Sequence, residues 1–410
     1  MSDYRRYLWI LFGVVALVLV PIAAANYVLV QRSFGGERLA REASAWQQAT
    51  RGVTYSPPLS QNRPFKVLRL ADRLPHVNVL VLGSSTVMGL SVDAFPGELR
   101  AYNFSQSANL LGPALVEAEA LVAQTKVQWL VVPLDWAIGL VFEPLGTPTA
   151  AQLLGPEAVA GPPRPGRLAL LADALSAPRV RDLVRALRSI LRAPDAAQAF
   201  RAVFLDGPGV DYTCADGTPA RDFDTIHRGR CVGFRFDGSA TFGNLKPLTP
   251  VTAPAVLAAA ARPDSPYVAP LVRARGEPPA AALDRLAVIA AILQARGGDL
   301  IVLVPPLLPG IERAVVANPA AASALRHWTD TLAAWGVQHR VTVLDAAASE
   351  RYGCTDAEFV DAHHALPPCF LRVFSRYWEE RRSGALRPGV YRGEPLRAVA
   401  ESRLRAMAAR

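Results

Sequence analysis

Val77-Asn78-Val79-Leu80-Val81-Leu82-Gly83-Ser84-Ser85 is the stretch whose reading sets the fold. From Val77 to Leu82 it is apolar but for Asn78, and Gly83 breaks it. A short apolar run that stops at a turn is the pattern of a strand buried on both faces. Three further runs fit the same description: Val127–Pro133, Asp299–Val304 and Val341–Leu344. Helical patterns precede them, over 113–124, 280–296 and roughly 319–335. Strands alternating with helices predict an α/β domain with a parallel sheet and helices on both faces.

Composition shifts divide the rest of the chain. Residues 76–144 and 281–385 carry the two halves of the α/β pattern. Between them, 145–280 is dense in Pro and Gly, contains two cysteines, and shows one clear helix around 178–191; it reads as an insertion. Residues 31–75 are polar and interrupted by Pro57, Pro58 and Pro64, and read as an irregular stalk. No internal repeat or heptad is present.

From Leu8 to Val30 run 23 residues with no charge and a single Asn. As a helix they extend about 34 Å, enough for a hydrocarbon core of ~30 Å. Residues 1–30 therefore read as a cytoplasmic tip and a transmembrane anchor, with Pro21 expected to kink the helix rather than end it. Arg5 and Arg6 before the span favour a cytoplasmic N-terminus. The alternative is a cleaved signal peptide, since Ala23-Ala24-Ala25 resembles a cleavage site. Either way the body of the protein lies outside the cytoplasm.

Cysteine usage agrees. Cys214, Cys231, Cys354 and Cys369 lack the spacing of a zinc knuckle or a redox motif. Three disulfide connectivities are possible, and pairing of sequence neighbours is the simplest. Bridges of that size stabilise by roughly 3 kcal/mol each and need an oxidising compartment. Four buried free thiols are the alternative. The formal net charge is +9, and from Arg372 onward ten Arg face four Glu, with a basic tail over 386–410. There is no nucleic-acid recognition motif, so nucleic acid is not an expected partner. An anionic membrane surface or envelope polymer fits better, and a solvated basic face without a specific partner is the plain reading.

The chemistry gathers at two places. Ligands of open parallel sheets collect outside the carboxyl ends of the strands, and Gly83-Ser84-Ser85 puts hydroxyls at that edge. Far downstream stands Asp361-Ala362-His363-His364, ahead of Pro367, Pro368 and a terminal helix. Nucleophilic serine chemistry needs a base for the hydroxyl proton and a carboxylate to orient the base. Asp361 and His364, three residues apart, can meet at Nδ1 and leave Nε2 for a serine. His363 is the rival base, although it lacks that spacing. A zinc site from Cys354, His363, His364 and Cys369 would require adjacent histidines on one ion and compete with disulfide pairing. No cofactor or metal is implied. His76, His227, His327 and His339 read as surface or packing residues.

A serine directly after the first strand, with Asp-x-x-His before the last helix, resembles the SGNH/GDSL hydrolase superfamily. Asn103-Phe104-Ser105-Gln106-Ser107-Ala108 is similar to the family's second block, Asn then Gly five residues on. Pro133-Leu134-Asp135-Trp136 stands where Gly-x-Asn-Asp is expected. The resemblance covers residues 76–140 and 286–380. It implies a flavodoxin-like three-layer α/β/α sandwich, with Ser85 as nucleophile, His364 as base and Asp361 as its orienting carboxylate. Asn103, Ala108, Asp135 and Ser84 would fall around the oxyanion and substrate. Three positions depart from the pattern: Ser84 replaces Asp, Ala108 replaces the oxyanion Gly, and Asp135 stands at or beside the usual Asn. Gly-Ser-Ser variants with an anchor are similar to envelope O-acyltransferase and D-alanylation-factor proteins. That likeness implies acyl ester chemistry on an envelope glycan or polymer, beside a membrane-bound acyltransferase. A non-enzymatic assembly protein and a lipase-like esterase are the rival readings.

Overall fold

The computed structural model describes residues 2–32, 37–55, 62–107, 109–136, 172, 174–193, 195–204, 210–223, 230–243 and 245–393. Its strands are β1 (Val53–Tyr55), β2 (Val79–Val81), β3 (Ala101–Asn103), β4 (Trp129–Pro133), β5 (Val210–Thr213), β6 (Pro219–Asp222), β7 (Asp299–Val304), β8 (Thr342–Asp345) and β9 (Gly389–Tyr391). The chain forms two compact units, one of residues 1–68 and 159–233, the other of 69–158 and 234–410.

In the larger unit, six described strands form one sheet in the order β3-β2-β4-β7-β8-β9, and every pairing is parallel. The chain leaves β2 toward β3, then returns past β2 to β4. Strand order therefore reverses beside β2, at the place where open parallel sheets hold their ligands. Val79, Leu80 and Val81, Leu130 to Val132, and Leu300 to Leu303 are wholly buried. Burial on both faces explains why these strands read as unbroken apolar runs.

Helices Leu111–Gln124 and Ala280–Gln294 pack together, burying Leu115, Leu121, Leu286 and Leu293. Glu119 and Arg285 bridge them at 2.7 Å. Helix Pro367–Arg382 begins with two prolines in its first turn, where missing N–H groups cost nothing. It buries Phe370, Val373, Phe374 and Tyr377, each worth about 1.5–3 kcal/mol. Its Trp378 stands edge-on to Trp129 at 5.5 Å and donates its indole N–H to Ala94 O at 3.0 Å.

The smaller unit holds helix Ser2–Arg32, which continues through Pro21, and whose part Tyr4–Val28 is long and apolar enough to cross a membrane. Helices Ala177–Arg192 and Ala196–Phe204 pack against it. A three-stranded sheet, β1-β6-β5, closes the unit. The Cys214–Cys231 disulfide packs there on Val53 and Ala220.

Several expectations need correction. The stretch 31–75 is not an irregular stalk: it carries helices Glu37–Thr50 and Arg63–Arg73 and strand β1. Pro64 is the second residue of its helix, a starting position rather than a break. The earlier helix buries Ala40, Ala43, Ser44 and Gln47, which are too small or too polar to mark a face. Residues 145–280, expected as one insertion, are shared between the units at 233/234. That stretch also carries helices Ala196–Phe204, Ala253–Ala260 and Ala269–Arg273 beside the expected one. Within the basic tail, 389–391 form the edge strand β9; residues 394–410, like 137–144, lie outside the described residues.

Candidate functional site

The site is built where β2 ends. Gly83 has φ +123°, a conformation that side chains resist, and a Cβ there would run into the Pro133 ring at the end of β4. The chain then turns into a short 3-10 segment, Ser85–Val87. Ser84 caps this turn: its Oγ accepts from Thr86 N–H at 3.4 Å and shares a 3.0 Å hydrogen bond with Thr86 Oγ1. Its hydroxyl is therefore engaged locally, while the Ser85 Oγ lies 2.8 Å from His364 Nε2.

Asn103, expected near the oxyanion, instead stitches this turn together. Its buried amide donates to Val87 O at 2.8 Å and to Leu90 O at 2.9 Å, and its Oδ1 accepts Ser105 N–H at 3.0 Å. A hairpin from Phe234 to Ala240 completes the support. Asp237 accepts Val92 N–H at 2.7 Å, and Ala240 N–H reaches Met88 O at 2.7 Å.

On the facing loop one carboxylate performs two tasks. Asp361 Oδ1 accepts the N–H groups of His363 at 2.9 Å and His364 at 2.8 Å, which folds the loop back on itself. Asp361 Oδ2 lies 2.6 Å from His364 Nδ1. The loop's base is closed by the antiparallel bridge between Phe359 and Ala365. The Cys354–Cys369 disulfide spans it, with Cα atoms 5.1 Å apart. Both disulfides join sequence neighbours, and neither Cys354 nor Cys369 is left as a zinc ligand.

The geometry thus runs Ser85 Oγ, His364, Asp361 in one hydrogen-bonded line. The His364 side chain is 19% exposed, so the line is reachable from solvent. Burial opposes charge on Asp361, yet the hydrogen bond from His364 and the neighbouring imidazoles hold its carboxyl well below the usual range. An ionised Asp361 favours a proton on Nδ1, which leaves Nε2 free to accept one from Ser85.

No protein-family model, curated protein or solved structure matches this chain.

The remaining residues expected here fall as follows. Asp135 follows β4 and lines a pocket with Gly83, Ser84, Asn109 and Pro133. Ala108 lies outside the described residues, but the chain around it is anchored. Gln106 N–H donates to Gly83 O at 2.9 Å, and Asn109 donates to buried Glu117 at 2.9 Å.

Two residues were missed in the sequence. Tyr267 OH shares a 2.8 Å hydrogen bond with His363 Nδ1, and the Phe242 ring stands 6.0 Å from that of His364. Burial raises the Tyr267 phenol, as do Asp135 and Asp361. Burial and the charge of His364 push the His363 imidazole down to about 4, so it is neutral at pH 7. His363 is thus tied to Tyr267, and His364 is the imidazole that faces the serine. Asp361, His363 and His364 also present ligand atoms within 4.8 Å of one another. In the hydrogen-bonded arrangement His364 Nδ1 and Asp361 Oδ2 are committed to each other.

Proposed function

We propose that this is a membrane-anchored extracytoplasmic protein of SGNH type, performing acyl ester chemistry on an envelope glycan or polymer through Ser85. The observation that carries the reading is the line of hydrogen bonds from Ser85 Oγ to His364 at 2.8 Å and on to Asp361 at 2.6 Å. A flavodoxin-like three-layer sandwich fits the strand order, in which β2 lies between β3 and β4. The apolar helix and the two disulfides support a location outside the cytoplasm.

In this reading His364 Nε2 takes the Ser85 proton as Oγ attacks the ester carbonyl. The tetrahedral intermediate collapses, the ester C–O bond breaks, and His364 returns the proton to the leaving alkoxide. Water or a sugar hydroxyl, deprotonated by the same imidazole, then attacks the acyl-serine and restores Ser85. Hydrolysis and transfer differ only in that acceptor. Transfer would fit a membrane-bound acyltransferase as partner.

A fluorophosphonate probe tests this without knowledge of the substrate. Wild type should label, Ser85→Ala and His364→Ala should not, and Ser84→Ala and His363→Ala should retain most labelling. Labelling that survives Ser85→Ala but is lost in Ser84→Ala would move the nucleophile by one residue. The second reading, a non-catalytic assembly protein, is favoured by Asp135. A carboxylate beside the pocket opposes a developing oxyanion where a neutral amide would stabilise it by about 2.7–4 kcal/mol. Folded wild-type protein that never labels would decide for that reading.

A further inference from the structure

Helix Ala177–Arg192 presents three distinct stripes. Leu183, Ala186 and Ile190 are buried and form a cluster with Ile22 and Ala25 of the apolar helix, joined by Ala199 and Phe204. One residue further round, Val184, Leu187 and Leu191 are exposed, Leu191 by 78%. Round the helix again come Arg181, Arg188 and Arg192, all exposed. At about 100° per residue the apolar stripe is flanked by the packed stripe on one side and the arginines on the other.

The place of this packing along the apolar helix gives the exposed stripe its partner. Ile22 and Ala25 lie roughly 24–29 Å along the helix from Arg6, close to the far boundary of a ~30 Å hydrocarbon core. At that level the side chain of Asn26, the lone Asn of the uncharged stretch Leu8–Val30, is buried and donates to Ala174 O at 2.7 Å. A helix held against the span at this height lies at the membrane surface. With its packed stripe toward the span, its apolar stripe can face the hydrocarbon and its arginines the headgroups. Phe200, 45% exposed on the following helix, adds a further apolar side chain to this unit's surface.

We propose that helix Ala177–Arg192 is an interfacial helix that inserts Val184, Leu187 and Leu191 into the outer leaflet of the anchoring membrane, with Arg181, Arg188 and Arg192 on anionic lipid headgroups. Such helices bind through buried apolar area together with attraction to anionic lipid. The inference rests on the reading of Tyr4–Val28 as a membrane span.

The test uses full-length protein in vesicles of phosphatidylcholine with phosphatidylglycerol, carrying a polarity-sensitive dye on a single added thiol. The native cysteines are all bridged and do not react. Dye at Leu191→Cys should be quenched by a shallow lipid-borne quencher and protected from aqueous iodide. Dye at Val14→Cys should respond to a deep quencher, and dye at Val251→Cys to iodide alone. Changing Arg181, Arg188 and Arg192 to Gln in the Leu191→Cys protein should weaken docking about fivefold per arginine, and only in vesicles containing phosphatidylglycerol. A Val14 dye quenched in the bilayer beside a Leu191 dye open to iodide would overturn the interfacial helix and leave the anchor standing. A Val14 dye that no lipid quencher reaches would remove the anchor and this inference with it. Protection of Leu191 only after a second membrane protein is added would assign the stripe to that protein instead of lipid.

Discussion

One oxygen of Asp361 shapes the loop through two backbone N–H groups, while the other meets an imidazole. Substitution can separate these tasks. Asp361→Asn keeps an acceptor for the backbone but can present an N–H to Nδ1, which favours the wrong tautomer of His364. Its melting temperature should stay near that of wild type while probe labelling slows by about 10³–10⁴-fold. Asp361→Ala should lose both fold stability and labelling. His363 supplies a pH dependence. Its folded-state value of about 4 lies below the ordinary 6.5, so between those values the unfolded chain binds the extra proton and stability falls as pH falls. The loss is at most about 3 kcal/mol, complete near pH 4, and His363→Gln should flatten melting curves across that window. Below pH 4, protonation of Asp361 removes a further contribution, since its carboxyl also titrates lower when folded. The serine, the aspartate and His364 were legible because a hydroxyl after a strand and a three-residue spacing are local signals. Tyr267 was not, because its contact with His363 crosses 96 residues and leaves no local pattern.

At the level of elements, β2, β4, β7 and β8 were readable because each lies in an apolar run, whereas β3 (Ala-Tyr-Asn) and β9 (Gly-Val-Tyr) have polar or Gly/Pro neighbours and no such run around them. Helix Arg63–Arg73 was hidden by a proline at its start. The hairpin at 234–240 did leave a mark, the turn pair Asp237-Gly238, but nothing in the sequence says that it braces the Ser85 turn. That brace and Asn103 make the turn vulnerable. Asn103→Ala removes two amide bonds to buried carbonyls and should cost about 2–4 kcal/mol in denaturant unfolding, with labelling by the probe impaired in the protein that still folds. Gly83→Ala adds a Cβ against Pro133 at a positive φ and should cost at least about 2 kcal/mol. Replacing Cys354 and Cys369 together by Ala reopens the loop that carries Asp361 and His364. A stability loss of about 3 kcal/mol is expected, measured under non-reducing conditions against wild type.

For the whole molecule, the prediction is topological. An alkaline phosphatase-type reporter fused after residue 60 should be active, because that enzyme needs an oxidising compartment. In intact cells with an unbroken outer barrier, residues 31–410 should resist added protease and become digestible once the barrier is opened. An inactive reporter would place the protein in the cytoplasm and leave its two disulfides without a compartment to form in. The apolar N-terminal helix was the most legible feature of the chain, since length and lack of charge alone define it. The division into two units was the least legible, because each is assembled from segments far apart in sequence.

The separation of the serine from its histidine has a consequence for the birth of the protein. Ser85 and His364 are 279 residues apart, and at ~5–20 residues per second the ribosome needs roughly 14–56 s to make the second after the first. Throughout that interval the nascent chain carries a hydroxyl with no base, inert toward any ester it passes on its way out. In the proposed reading, reactivity begins only when residues 361–364 have been made and the loop around Asp361 has closed. On the proposed acyl chemistry, a polypeptide truncated anywhere short of His364 would never become a hydrolytic hazard to the cell that made it.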